Sequence, residues 1–113
     1  MAPITTIVHF EVPAENVDRF FAFWQDSIKD VTGSQPGLID GIFHRAIDAD
    51  GPFQFINVAR WESAEHLQAA LEATVEALRR DGVEMLEEFR KLGVKASQNN
   101  YDEAVRYAAK AVD

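Results

Sequence analysis

His44, Asn57 and Trp61 are the side chains in this sequence whose types and spacing suit chemistry. They bring an imidazole, a carboxamide and an indole into two mostly apolar runs, 38–47 and 53–61. An imidazole moves protons near neutral pH, a carboxamide donates and accepts hydrogen bonds, and an indole N–H only donates. Burying such groups unpaired is costly, so they serve either as satisfied structural residues or as the polar pins of a ligand cavity. Large rings such as Trp61 most often fill cores. If the three share a face, a mostly apolar cavity carrying them suits a flat aromatic or quinone-like ligand. His44, Asn57 and Trp61 are then the expected polar pins of that cavity, with Ile42, Phe53, Phe55, Trp24 and Leu67 expected to line it.

The elements that must position these residues follow from periodicity. Ile4 to Val12 is β-branched and aromatic, with Ile4, Thr6, Val8, Phe10 and Val12 on one face, and Pro13 closes this first strand. Val17, Phe20, Phe21, Trp24, Ile28 and Val31 recur at helical spacing up to Gly33, and 34–37 is a turn. Leu38–Ile47 and Phe53–Trp61 are two more strands. Ser63 suits an N-cap, and Leu67, Ala70, Leu71, Thr74, Val75 and Leu78 give a second helix interrupted near Asp81-Gly82, with a short helix from Val83 to Leu92. Residues 93–100 are expected to be a polar connection and Tyr101–Tyr107 a final strand. The order strand, helix, strand, strand, helix, strand is the split βαβ pattern of α+β, ferredoxin-like folds with an antiparallel sheet. The chain is expected to be one domain, with an ordered core over about 3–107 and a tail over 108–113.

The hairpin decides whether the three polar residues meet. With 48–51 as its loop, Ile47 pairs with Pro52, His44 lies opposite Phe55 and Ile42 opposite Asn57. Ile42, His44, Ala46, Phe53, Phe55, Asn57, Ala59 and Trp61 then share one face, while Ile39, Phe43, Ile47, Ile56 and Val58 share the other. Both faces are apolar, and an antiparallel sheet with helices on one side normally shows water its other face. The second apolar face implies a partner, most simply an identical subunit packed sheet against sheet. His9, with Thr5 and Ile7, is expected at that interface.

Composition narrows the classes further. The 113 residues carry a formal net charge of −8, with no basic run longer than Arg79-Arg80, which speaks against nucleic-acid binding. The absence of cysteine excludes disulfides and thiolate chemistry and fits a reducing compartment. No apolar run approaches the ~20 residues needed to span a bilayer, and no secretory leader is evident, so a cytoplasmic location without membrane contact is expected. The acidic stretches around Glu84, Glu87, Glu88 and around Asp102, Glu103 fit solvated faces, and His66 fits the first turn of its helix.

Phe55-Ile56-Asn57-Val58-Ala59-Arg60-Trp61-Glu62-Ser63, preceded by Gln35-Pro36-Gly37 and Phe43-His44-Arg45, resembles the antibiotic biosynthesis monooxygenase family, as do Pro3-Ile4-Thr5-Thr6-Ile7 and Phe10-Glu11-Val12-Pro13. The resemblance runs from about Pro3 to Ala73, with a looser echo at 100–107. It implies a dimeric α+β barrel and, from the family's anthrone monooxygenases, oxidation of a hydroxylated aromatic by O2 with no metal, flavin or other cofactor. Asn57 and Trp61 match the pair those enzymes place beside substrate, and His44 matches their histidine on the preceding strand. In that scheme His44 relays a proton, while the Asn57 amide and the Trp61 N–H hold the keto or peroxide oxygen. Two family tyrosines are replaced by Phe43 and Leu67, and a helix arginine corresponds loosely to Arg79 or Arg80. The heme-degrading branch carries asparagine, tryptophan and histidine where this chain has about Val8, Ala70 and Arg80, which speaks against heme degradation. Two other readings stay open: a non-enzymatic small-molecule-binding or assembly module, and a cofactor-free isomerase or cyclase with His44 as base.

Overall fold

The computed structural model describes residues 2–111. Strand β1 (Ile4–Glu11) ends at Pro13, which cannot extend the ladder, and a 3₁₀ turn (Ala14–Asn16) leads into a helical run, α1, over residues 17–33. Its middle, Trp24–Ile28, is π-helical, a widening that often marks functional sites. Strands β2 (Leu38–Arg45) and β3 (Phe55–Trp61) follow. Helices α2 (Ala64–Arg80) and α3 (Met85–Leu92) then lead to β4 (Lys95–Tyr101). As expected, Ser63 caps α2, its Oγ accepting the His66 N–H at 3.1 Å. The strand order is β2-β3-β1-β4 with every pairing antiparallel, the ferredoxin-like α+β arrangement. No helix among the described residues is long and apolar enough to cross a membrane.

One face of the sheet carries the core. Phe10, Val12, Phe20, Phe55, Leu92 and Val94 form one buried cluster, and Ala59, Trp61, Leu67 and Ala70 form a second. The ring of Phe20, fully buried, lies 5.0 Å from Phe10, 5.5 Å from Phe89 and 5.7 Å from Phe55. Each such ring removed from water contributes roughly 1.5–3 kcal/mol. The strand members of these clusters, Phe10 of β1 and Phe55, Ala59 and Trp61 of β3, fall at alternate positions, as the period-two pattern predicts.

The hairpin differs from expectation by one residue of register, and that difference moves His44. Arg45 pairs with Phe55, His44 with Ile56, Phe43 with Asn57 and Ile42 with Val58. The connection is longer than the four residues 48–51, because Gln54 belongs to it. Its side chain accepts the Val12 N–H at 2.6 Å and donates to the carbonyls of Gly51 (2.9 Å) and Ala49 (3.3 Å). Side-chain burial explains why this register wins. It turns Phe43 inward, with its ring stacked 3.9 Å from Trp24 and 5.2 Å from Phe55, whereas the expected register would bury an imidazole in its place. His44 and Ile42 therefore face away from the helices.

The last strand also differs. Residues 95–100, expected as part of a polar connection, form β4 together with Tyr101 and pair with β1 from Glu11↔Lys95 to Thr5↔Tyr101. Residues 102–111, expected to hold most of the final strand, are exposed and have no regular structure. All seven residues of β4 are exposed on this edge, so it is held chiefly by backbone ladder bonds, and its side chains carry no apolar alternation.

The face away from the helices is laid out in rows across the strands. His44, Ile56, His9 and Ser97 form one row, and Ile42, Val58, Ile7 and Asn99 the next. Beyond them, Arg60 donates two hydrogen bonds to the Asp40 carboxylate, at 2.8 and 2.6 Å. This pairing holds the Asp40 carboxyl below its usual range. Ile42 in the central row is 62% exposed.

Candidate active site

Between the inner sheet face and the helices lies a cavity of about 490 Å³, within the range of small-molecule sites. Its floor comes from β1 and β3, where Asn57 lies beside Val8, Ala59 beside Thr6, and Trp61 beside Ile4. Asn57 and Trp61 are four residues apart on one face, about 13 Å along the strand, with Ala59 between them. That alanine, with Thr6 beside it, keeps the floor low between two larger side chains. Trp24 and Ile28, the two ends of the π-helical turn, form one wall. Leu67, Ala70, Leu71 and Thr74 of α2 form another, and Met85, Leu86, Phe89 and Arg90 of α3 a third.

Most hydroxyl and amide groups of the lining are already paired. Thr74 donates to the Ala70 carbonyl at 2.8 Å, so Thr32 supplies the proton in its 3.1 Å contact with Thr74. Gln98 Nε2 donates to Thr6 Oγ1 at 3.2 Å. Trp61 is different. It is 2% exposed, lines the cavity, and its Nε1 is the only buried side-chain nitrogen or oxygen without a hydrogen-bond partner among the described residues. Leaving such a donor unpaired costs about 1–3 kcal/mol, which a ligand acceptor would recover.

The structure brings together part of the expected set. Asn57, Trp61, Trp24 and Leu67 line the cavity. Phe55 is fully buried in the aromatic core, outside the lining. Phe53 packs its ring 4.7 Å from His9, at the sheet's other face. His44 and Ile42 are exposed on that other face. Without His44, the lining contains no histidine, aspartate or glutamate. No side chain of the cavity can therefore act as a general base at neutral pH.

Arg90 was not anticipated. It is the one charged residue of the lining, while neither Arg79 nor Arg80, the two loosely expected helix arginines, lines the cavity, and Arg79 pairs instead with Glu84 at 2.8 Å and Glu76 at 3.3 Å. Arg90 is bonded to Glu87 one turn earlier, through Nε at 3.0 Å and through Nη2. Those hydrogen bonds raise the Arg90 pKa and hold the Glu87 carboxyl below its usual range. The acidic stretch of α3 suggested a solvated face. The usable signal was Met85, Leu86 and Phe89 beside Arg90 at i, i+1, i+4, i+5 spacing, one apolar stripe ending in a cation.

A second polar constellation has a structural explanation. Ser63 Oγ lies 2.7 Å from His66 Nδ1, and His66 Nε2 lies 3.9 Å from Glu62, an order that resembles a hydrolytic triad. Ser63 is buried and spends its oxygen capping α2. The His66 ring packs where a Cβ on Gly37 would lie, about 2.3 Å from its Cγ, and Gly37 holds φ +88°. The Pro-Gly turn and the cap thus lock β2 to the start of α2.

Comparison with known proteins agrees with this architecture. The model of the antibiotic biosynthesis monooxygenase family matches residues 3–91. A provisionally assigned monooxygenase from Shewanella loihica PV-4 has 25% identity and a TM-score of 0.70, over 94% of this chain and 97% of its own. The cofactor-independent oxygenase SnoaB from Streptomyces nogalater superposes with a TM-score of 0.63 at 18% identity, over 96% and 97% of the two chains. A manganese-protoporphyrin complex of an MhuD variant has a TM-score of 0.64 at 17% identity, over 94% and 99%, so the fold alone does not select a chemistry. No curated protein matches the sequence. The family model covers most of the chain, and the chain belongs to the antibiotic biosynthesis monooxygenase family.

Proposed function

We propose that this chain is a cofactor-independent monooxygenase oxidising a hydroxylated polycyclic aromatic, of anthrone or quinol type, with O2. The observation that carries the reading is a mostly apolar cavity lined by Trp61, whose buried indole N–H has no hydrogen-bond partner. An aromatic of several fused rings suits a space of about 490 Å³, and its keto oxygen is an acceptor for that donor. The electrons come from the substrate. Its enolate passes one electron to O2, the radical pair joins as a carbon-bound peroxide, and loss of water leaves a quinone. One methylene and one O2 thus become one carbonyl and one H2O. The protein's share is to exclude bulk water, hold the ring, and stabilise the anion and peroxide through Trp61 and Asn57.

Chelator-treated protein is expected to accelerate oxygen uptake by dihydroxyanthrone over the buffer control, with one O2 consumed per quinone formed. Uptake no faster than in buffer would reject this reading and leave the binding-module alternative. An isomerase or cyclase using His44 as base is not favoured, because that imidazole lies across the sheet from the cavity.

A homodimer through the outer sheet face is part of the proposal. Ile7, Ile42 and Val58 form an apolar row there, continued by Ile56 between His9 and His44 on one side and flanked by the Asp40–Arg60 pair on the other, and a two-fold axis through such a patch makes it complementary to itself. Sedimentation equilibrium should give twice the chain mass, and Val58→Glu should return the protein to monomer. A monomeric parent protein at micromolar concentration would reject the dimer.

A further inference from the structure

We infer that the cavity takes its ligand as an anion, with Arg90 as the counter-charge at its mouth, so the ligand combines a flat apolar body, an acceptor for Trp61, and an acidic substituent at the outer end. This deepens the proposed function and rests on the cavity being a ligand site.

Three observations lead to it. The lining holds one cation and neither a carboxylate nor an imidazole, so its only formal charge is positive, in a protein whose net charge is −8. A site without a base cannot remove a proton at neutral pH, and a phenol or carboxylic acid that must react or bind as its anion has to arrive ionised. Arg90 stands at the rim. Its side chain is 74% exposed, and its neighbour Leu86 is 75% exposed, while Trp61 at the other end of the lining is 2% exposed. The polar groups are therefore segregated, with a neutral donor deep inside and a cation outside.

The guanidinium also has capacity to spare. Glu87 occupies Nε and Nη2, leaving the opposite Nη1/Nη2 edge, which can grip a carboxylate or a phenolate with a neighbouring keto oxygen through two parallel hydrogen bonds. Glu87 is a competing anion within the same helix turn, and it holds the guanidinium in place while weakening its pull on a ligand. Removing the Glu87 charge should strengthen anion binding, an effect opposite to that of removing Arg90.

The test uses two matched fluorescent probes, anthracene-2-carboxylate and anthracene-2-carboxamide, titrated at low ionic strength with the probe's own emission as readout. The parent protein is expected to bind the carboxylate about tenfold more tightly, the scale of a single partly solvated charge-assisted contact. Arg90→Gln should reduce that ratio to about one, chiefly through lost carboxylate affinity, Arg90→Lys should keep part of it, and Glu87→Gln should raise it severalfold. Salt at 0.5 M should compress the ratio in the parent protein. Equal affinity for the two probes in the parent, a ratio that survives Arg90→Gln, or failure of both probes to bind would each overturn the inference. Oxygen uptake is scored separately. A carboxylate preference without oxygen uptake rejects the monooxygenase and keeps the anion site, while uptake without a preference does the reverse.

Discussion

Trp61→Phe is expected to lower oxygen uptake with dihydroxyanthrone by about 10²-fold while leaving the fold intact. The expectation rests on what the substitution removes. Phenylalanine retains most of the ring that packs against Leu67 and Ala70, but it lacks the N–H, and a single preorganised donor facing developing negative charge is worth about 10²–10³ in rate. The stability change should be small, because two effects oppose each other. The smaller ring leaves a partial void costing about 1–2 kcal/mol, and the buried unpaired donor, itself a burden of similar size, is gone. Urea midpoints within about 1 kcal/mol of the parent, with a collapsed rate, would separate a chemical role from a packing role. Unchanged uptake would remove Trp61 from the mechanism. Asn57→Ala should cost less, about tenfold, because Asn57 is only half-buried and water can stand in for part of its hydrogen bonding.

What the sequence made legible was set by how strongly side-chain burial marks each element. The aromatic helix, β1 and β3 carry wide apolar stripes, and both the fold class and the Asn57–Trp61 pair followed from them. The two residues belong to one strand, so alternation fixes their common face whatever the hairpin does. His44 lies on another strand, and placing it required the loop length. The Asp-Gly pair at 50–51 suggested a tight loop, but Gln54 spends its amide on Val12, Ala49 and Gly51, so the connection gains an odd residue and the β2 side chains from Asp40 to Arg45 change face, while an irregularity between Leu38 and Asp40 leaves Leu38 opposite Trp61. The correct register was recoverable by asking which of Phe43 and His44 the core would accept. β4 had no such signal, because Lys95 to Tyr101 pair through backbone groups that any sequence possesses. Arg90 was hidden by its acidic surroundings, since one face of α3 is solvated and the other is cavity wall.

That register makes a paired expectation at adjacent residues. Phe43→Ala should destabilise the protein by about 2–4 kcal/mol, since the ring stacks on Trp24 and Phe55 and sits within 6.4 Å of Phe10 and Phe21. Because Trp24 lines the cavity, the lost stack should also loosen the wall and weaken binding of either anthracene probe. His44→Ala should destabilise the protein far less than Phe43→Ala and leave oxygen uptake within about twofold, because the imidazole lies on the outer face, across the sheet from the cavity. Chemical unfolding and oxygen uptake on both variants, at a protein concentration high enough to hold a dimer together, check this directly. The opposite result, a stable Phe43→Ala and an inactive His44→Ala, would mean that His44 faces the cavity and the hairpin pairs one residue away. A proton relay by imidazole would then return to the mechanism. With the observed pairing, the proposed reaction has no base in the cavity, and the proton would have to come off before the substrate enters. The pH–rate profile should therefore follow the ionisation of the substrate and move with it when a more acidic anthrone is used.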